Sequence, residues 1–345
     1  MMILFRADGN ANIGMGHIMR CLSIADAAAE QGTECLFVTA DETVTGQIRE
    51  RGYRCEALGT DYKAMDTELP RMEVLLLHEQ PTCVVVDSYY VTSNYLQQLK
   101  KYAEIAYIDD TASFAYPVDV LLNYNIYGED VDYESLYRKA GQLLPKMLLG
   151  PTFAPLRKEF RDMQGRVIKK CAADVFVSTG GSDPRHIAFG LAKEIEKRQI
   201  SDMRFHFVLG ALNQDMMAIG HIAEQCGSIV VHHGVKRMSE LMRSCDLAIS
   251  AAGSTLYELC ATQTPTVTYI LADNQQPGAE GFARRGILRC AGDWRELRDG
   301  LFEKLLNTAE ELANDYAERK RIAETMGSVV DGNGAARVIA SLSEW

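Results

Sequence analysis

Short β-rich runs alternate with helix-period segments along the whole chain, and this alternation restricts the possible folds more than any other feature. In the first half, "MILFRA", "CLFVTA", "CVVVDS", "EIAYIDD" and "VDVLLN" read as strands. Several are continuous apolar runs, the pattern of parallel strands covered on both faces. Helical candidates lie between them near residues 17–31, 43–51, 66–79 and 93–102. A βαβα order of this kind predicts an α/β fold with doubly wound parallel sheets. The alternation breaks at "LLGPTFAPLRKEFRDMQGRVIKK", residues 148–170, where Gly150–Pro151, Pro155 and a basic cluster mark a linker. It restarts with "VFVSTGG", "RFHFVLG", "SIVVHHG", "LAIS" and "TVTYIL".

The 345 residues suit two domains of about 150 each. The expected division is a first domain over 1–150, a linker over 151–172, a second domain over 173–330 and a terminal helix over 331–345. The run 293–324 reads as helical. Ligands of open α/β sheets sit beyond the carboxyl ends of the strands, so two such domains are expected to share a ligand in the cleft between them.

A formal net charge of −11 argues against nucleic acid as a partner. An anionic ligand would therefore need local devices such as helix N-termini. The nine cysteines are odd in number, form no CxxC pair and mostly sit in apolar runs, which suits reduced thiols in a cytoplasmic protein. No basic segment leads into a long apolar run, and no stretch approaches the roughly 18 apolar residues of a membrane span. A monomer is expected.

The first strand runs into "RADGNANIGMGHIMRCLSIADAAA", residues 6–29. Gly14-Met15-Gly16-His17-Ile18-Met19-Arg20 stops one residue short of the dinucleotide fingerprint, because Arg20 stands where a third glycine permits close helix–strand packing. Asp8, Asn10 and Asn12 imitate a calcium loop, but Ile13 and Met19 occupy the positions that need Gly and a carboxylate. His17 is left at the first turn of a helix, where a base would be useful, and the alternative is a histidine that caps or packs. Asp87 with Tyr89, and Asp109 with Asp110, end strands where a ligand would lie. Either Asp8 or Asp87 would orient the imidazole. Asp130-Val131-Asp132 is a literal DxD in a polar stretch and reads as a solvated loop, and His232–His233 reads as strand and surface.

In the second half, Gly180, Gly181 and Ser182 follow a strand before a helix opening near Pro184. Gly253, Ser254 and Thr255 repeat the device. Small residues let backbone N–H groups approach a phosphate, and two such loops in one domain point to a nucleotide diphosphate. Glu258, one turn into the second helix, is placed to accept ribose hydroxyls, and Asn274 and Gln275 suit sugar hydroxyls.

Taken in order, "FRADGNANIGMGHIMRCLSIA", "LLGPTFAPLRKEF", "STGGSDP", "SAAGSTLYELC" and "ADNQQ" resemble the UDP-2,4-diacetamido-2,4,6-trideoxy-β-L-altropyranose hydrolase family of pseudaminic acid biosynthesis. Spore-coat polysaccharide proteins share these motifs, and the resemblance spans nearly the whole chain. It implies a GT-B fold, two Rossmann-like domains with UDP on the C-terminal one, and inverting hydrolysis of a UDP-sugar at C1 with no metal and no cofactor. By motif, His17 matches the catalytic histidine, Tyr89 and Asn274 line the sugar site, and Glu258 is the ribose-binding carboxylate. The glycines Gly14 and Gly16 and Arg20 fall in the same sugar-side loop, and "LLNYNIY" also fits the pattern. Ser88 departs from it, standing where His is expected. The alternatives are a glycosyltransferase of the same fold, a UDP-sugar 2-epimerase and a non-catalytic sugar-nucleotide binding protein.

Overall fold

A computed structural model describes residues 1–10, 12–181, 183–210 and 213–342. The chain divides into two compact units, one built from Met1–Lys158 with the chain from Asn333 onward, the other from Glu159–Gly332.

In the first unit, β1 (Met2–Ala7), β2 (Glu34–Thr39), β3 (Arg54–Ala57), β4 (Cys83–Asp87), β5 (Glu104–Ile108), β6 (Val120–Asn123) and β7 (Lys146–Leu149) form one sheet. Their order is β3-β2-β1-β4-β5-β6-β7, with every pairing parallel. The central strands are buried along nearly their full length: β4 is CVVVD with all five residues inside. At about 25 cal/mol per Å² of apolar surface, each such Val adds roughly 1.5 kcal/mol or more. Strand order reverses between β1 and β4, whose register pairs Ile3 with Cys83 and Ala7 with Asp87.

In the second unit, β8 (Asp174–Ser178), β9 (Arg204–Val208), β10 (Ile229–His232), β11 (Leu247–Ala251), β12 (Thr266–Ile270) and β13 (Arg289–Asp293) make a parallel sheet ordered β10-β9-β8-β11-β12-β13. Its reversal lies between β8 and β11. The region read as one helical run over 293–324 is three helices, Trp294–Leu297, Gly300–Asn314 and Tyr316–Val329. Arg298, at φ +48°, ends the first of these, and Asp315 caps the third by accepting from the Glu318 amide at 2.9 Å.

The last described helix, Gly334–Leu342, belongs to the first unit and packs on the helix Gly16–Ala29. No helix among the described residues is long and apolar enough to cross a membrane.

Candidate functional site

Each sheet has one place where the loops of neighbouring strands diverge, and that divergence opens a crevice at the carboxyl ends. In the first unit it lies between β1 and β4. β1 leads to the loop that opens the helix Gly16–Ala29, which carries His17 and Arg20, and β4 ends on Asp87. His17 Nδ1 lies 2.6 Å from Asp87 Oδ1. Arg20 grips the same carboxylate with two donors, Nε to Oδ2 and Nη2 to Oδ1, both at 2.5 Å. Arg20 Nη2 also lies 3.2 Å from His17 Nδ1. A guanidinium cannot accept, so both nitrogens donate to Asp87 and the imidazole proton sits on Nδ1. Nε2 is then the basic nitrogen.

Burial by itself would push the Asp87 carboxyl up. The Arg20 guanidinium and His17 against it outweigh that and hold it well below the usual carboxylate range. Arg20 is likewise held charged: burial works to lower its pKa, and Asp110 and Asp87 more than reverse this. Arg20 Nη1 reaches Asp110 Oδ2 at 2.9 Å and Tyr124 Oη at 3.0 Å. Asp110 also accepts from the Tyr89 hydroxyl at 3.0 Å and from Asn125 Nδ2 at 2.9 Å. Burial and the neighbouring Asp110 carboxylate push the Tyr89 phenol up, which keeps it a donor. The Tyr89 ring is 48% exposed and stands edge-on to His17, with centroids 4.7 Å apart and planes at 77°. His17 is only 6% exposed.

Arg20 was expected among the sugar contacts. The structure instead buries it as the brace between two carboxylates. Of the two carboxylates offered for His17, Asp87 is the one in contact. Asp8 accepts from Arg6 Nη1 at 2.6 Å and from the Ala40 amide at 2.7 Å, inside a buried group that includes Glu68. Asn10 closes the preceding loop, accepting from the amides of Asn12 and Ile13 and pairing with Gly14, whose φ of +74° favours glycine. Gly16 opens the helix, and no side chain caps that helix's first turn. Ser88 Oγ accepts from the Tyr90 amide at 3.1 Å and Ser88 O from Tyr107 Oη at 2.9 Å, which anchors the segment presenting Tyr89. Sequence reasoning did not identify the role of Asp110, Tyr124 or Asn125 around Arg20. Its available signal was the position of "IDD" and "NYNIY" just after adjacent strands.

In the second unit, Gly180 and Gly253 follow β8 and β11, the two strands at the order reversal. Gly180 has φ +93°. The helix expected near Pro184 begins at Ile187, and Asp183 accepts from the Ile187 and Ala188 amides at 3.0 and 2.8 Å. The protein's own carboxylate therefore occupies the first-turn amides that the sequence offers to a phosphate. Ser182 lies outside the described residues. The second helix start, at Thr255 after Gly253 and Ser254, has no side-chain cap, and half-buried Glu258 stands in its first turn. Asn274 is exposed in the turn Asp273–Gln275, while Gln275 Oε1 accepts from the Leu271 amide at 2.9 Å and so holds its own loop.

Asp132 is a helix cap, accepting from the Ser135 amide at 3.0 Å. His232 Nε2 lies 3.0 Å from His206 Nδ1, and His206 Nε2 lies 3.0 Å from Asp174 Oδ1, a chain of contacts rather than a converging set. Among the described residues no three His, Cys, Asp or Glu side chains are grouped to hold a metal ion.

No protein-family model matches the chain. It is 23% identical over 278 residues, 77% of its length, to the uncharacterized protein MJ1062 of Methanocaldococcus jannaschii. It is 27% identical over 199 residues, 57% of its length, to the spore coat polysaccharide biosynthesis protein SpsG of Bacillus subtilis. The chain spans about half the length of these two relatives, 55% and 56%. A third relative, the UDP-2,4-diacetamido-2,4,6-trideoxy-beta-L-altropyranose hydrolase of Campylobacter jejuni, is 23% identical over 83% of this chain and 97% of its own. Among solved structures, MurG of Acinetobacter baumannii matches with TM-score 0.69 at 12% identity over 100% of this chain and 99% of its own. A UDP-N-acetylglucosamine 2-epimerase of Listeria monocytogenes, so described putatively, matches with TM-score 0.64 at 12% identity over 99% and 96%. At these identities the likeness shows the fold, which is the α/β GT-B type with two parallel-strand sheets.

Proposed function

We propose that the chain hydrolyses a UDP-linked 2,4-diacetamido-2,4,6-trideoxy sugar, releasing UDP and the free sugar. The observation that carries this reading is His17, fixed through Nδ1 by a buried carboxylate that Arg20 holds ionised, beside the exposed Tyr89. A histidine oriented in this way keeps its Nε2 lone pair for a proton, as general base catalysis requires. Water gives a proton to Nε2 as its oxygen bonds to C1. The bond from C1 to the β-phosphate oxygen breaks with its electron pair going to the phosphate, and C1 inverts. Tyr89, Gly14 and Gly16 border the sugar. The loops at Gly180–Gly181 and Gly253–Thr255 hold the diphosphate, and Glu258 holds the ribose. Backbone donors there would stabilise the charge gathering on the leaving phosphate. The curated name of the Campylobacter relative supports the substrate class. All nine cysteines are free thiols, which supports a reducing, cytoplasmic setting.

The structural neighbours favour a second reading, a glycosyltransferase or 2-epimerase of the same fold. The deciding experiment measures UDP release from the altrose-configured UDP-sugar with EDTA present and no acceptor. Wild type is expected to release UDP, and His17→Ala to lower kcat at least about a hundredfold with UDP Kd unchanged. UDP binding without release would favour the transferase. Near-wild-type turnover in His17→Ala would remove His17 from the chemistry.

A further inference from the structure

The loops that follow β8 and β9 in the second unit meet closely: a Cβ on Gly210 would lie 2.1 Å from the Gly181 carbonyl oxygen. At this junction His186 adopts a left-handed φ of +56° at the start of the helix Ile187–Arg198. Its Nδ1 lies 2.6 Å from Asp215 Oδ2. Asp215 stands at the cap position of the helix Met216–Gln225 but gives that helix no side-chain cap, because its carboxylate is turned to the imidazole. The His186 side chain is 54% exposed. Its conformation and its partner thus both serve to hold an outward-facing ring.

Two buried donors accompany it. Asn213 accepts from the Asp215 amide through Oδ1 at 2.9 Å, which pins its side chain beside the His186–Asp215 pair. Asn213 is 6% exposed, yet its Nδ2 has no partner among the described residues. Thr179, directly after β8 and 5% exposed, has an Oγ1 without a partner among the described residues. Buried donors without partners are costly unless a ligand completes them. The nearby acids do not compete for that ligand: Asp215 faces the imidazole, and Asp183 is taken up by the amides of Ile187 and Ala188. Since Asp183 takes up the Ile187 and Ala188 amides, side-chain donors would add to the loop backbone in holding an anion here.

We propose that His186, as the imidazolium whose Nδ1–H is given to Asp215, donates its second N–H from Nε2 to a phosphoryl oxygen of the bound nucleotide diphosphate, with Asn213 Nδ2 and Thr179 Oγ1 as further donors. This rests on the reading of the second unit as the nucleotide-binding one. No bond is made or broken, and the pair acts by binding and positioning the phosphate.

The test titrates the full-length protein calorimetrically with UDP and with uridine. His186→Asn is the first variant, because Asn tolerates a positive φ and keeps the loop while removing the imidazole. Its UDP Kd is expected to rise about tenfold or more, the scale of one hydrogen bond to a charged group. Its uridine Kd and melting temperature should match wild type. Asp215→Asn should weaken UDP binding in the same selective way but by less. Equal UDP affinity in wild type and His186→Asn would overturn the proposal while leaving the nucleotide reading intact. Equal losses for UDP and uridine would show a structural tie and also overturn it. Absence of UDP binding by wild type would overturn the nucleotide reading and, with it, this inference.

Discussion

Asp87 carries three demands at once: it closes β4, orients His17 and neutralises Arg20. It is wholly buried, so replacing it leaves Arg20 with Asp110 as its remaining carboxylate. Removing one member of a buried ion pair typically costs about 3–5 kcal/mol. Asp87→Asn is accordingly expected to destabilise by about 3 kcal/mol at pH 7, with a fall in kcat as the imidazole loses its anchor. The carboxyl has a folded pKa below its unfolded value. Its stabilisation is therefore complete above the unfolded pKa near about 3.9 and is lost as pH falls towards the folded value. The gap in urea midpoint between variant and wild type should be widest at pH 7 and begin to narrow as pH falls below about 4. A gap that stays constant across that range would contradict the role assigned to its ionisation. The ambiguity between Asp8 and Asp87 could not be read from the sequence, because both stand at carboxyl ends of strands. The register that pairs Ala7 with Asp87 sets the second beside the His17 loop, whereas Asp8 turns to Arg6 and the Ala40 amide.

At the scale of elements, strands with two covered faces were legible, and of the four edge strands β3, β7, β10 and β13 only β10 was. β3, β7 and β13 escape a reading based on apolar runs, and each is the last strand at one side of its sheet. An edge strand has fewer neighbours to bury its side chains, so its sequence mixes polar and apolar residues: β3 reads RCEA and β13 reads RCAGD. Partner choice was hidden for a related reason. Asp110 and Asn125 meet only because β5 and β6 are adjacent, a fact of strand order that no local pattern encodes. Another element-scale consequence concerns β9 and β10, whose His206 and His232 rings stack at 5.2 Å. Burial, then the neighbouring His206 and His233, lower the His232 pKa. The unfolded chain then binds more protons than the folded one just below pH 6.5, so stability should fall as pH drops through that region. His232→Gln removes this term. Its urea midpoint should decline less than that of wild type between pH 7 and pH 5, and an equal decline would place the pH sensitivity elsewhere.

At the scale of the whole molecule, the chain leaves the first unit at Lys158 and returns to it at Asn333, so the first unit is discontinuous in sequence and the second is not. The returning helix Gly334–Leu342 buries Ala335, Val338, Ile339 and Leu342, and it packs on the helix that carries His17 and Arg20. Gly334 sits so close to the chain that a Cβ would lie 2.2 Å from the Ala154 carbonyl oxygen, which leaves no room for a looser seat. Burying Val, Ile and Leu side chains contributes roughly 1.5–3 kcal/mol each, about 5–9 kcal/mol for the three. That is comparable with the whole stability of an ordinary domain, about 5–15 kcal/mol. A chain ending at Gly332 should therefore lose the order of its first unit while keeping that of the second. Hydrolysis should disappear and far-UV ellipticity should fall by a part rather than the whole, with UDP Kd within about threefold of the full chain, since the donors proposed for the nucleotide all lie between Thr179 and Glu258. A truncated chain that still turned over UDP-sugar would show that the His17 helix holds its place without this support. One that lost UDP binding together with hydrolysis would show that the two units do not fold independently.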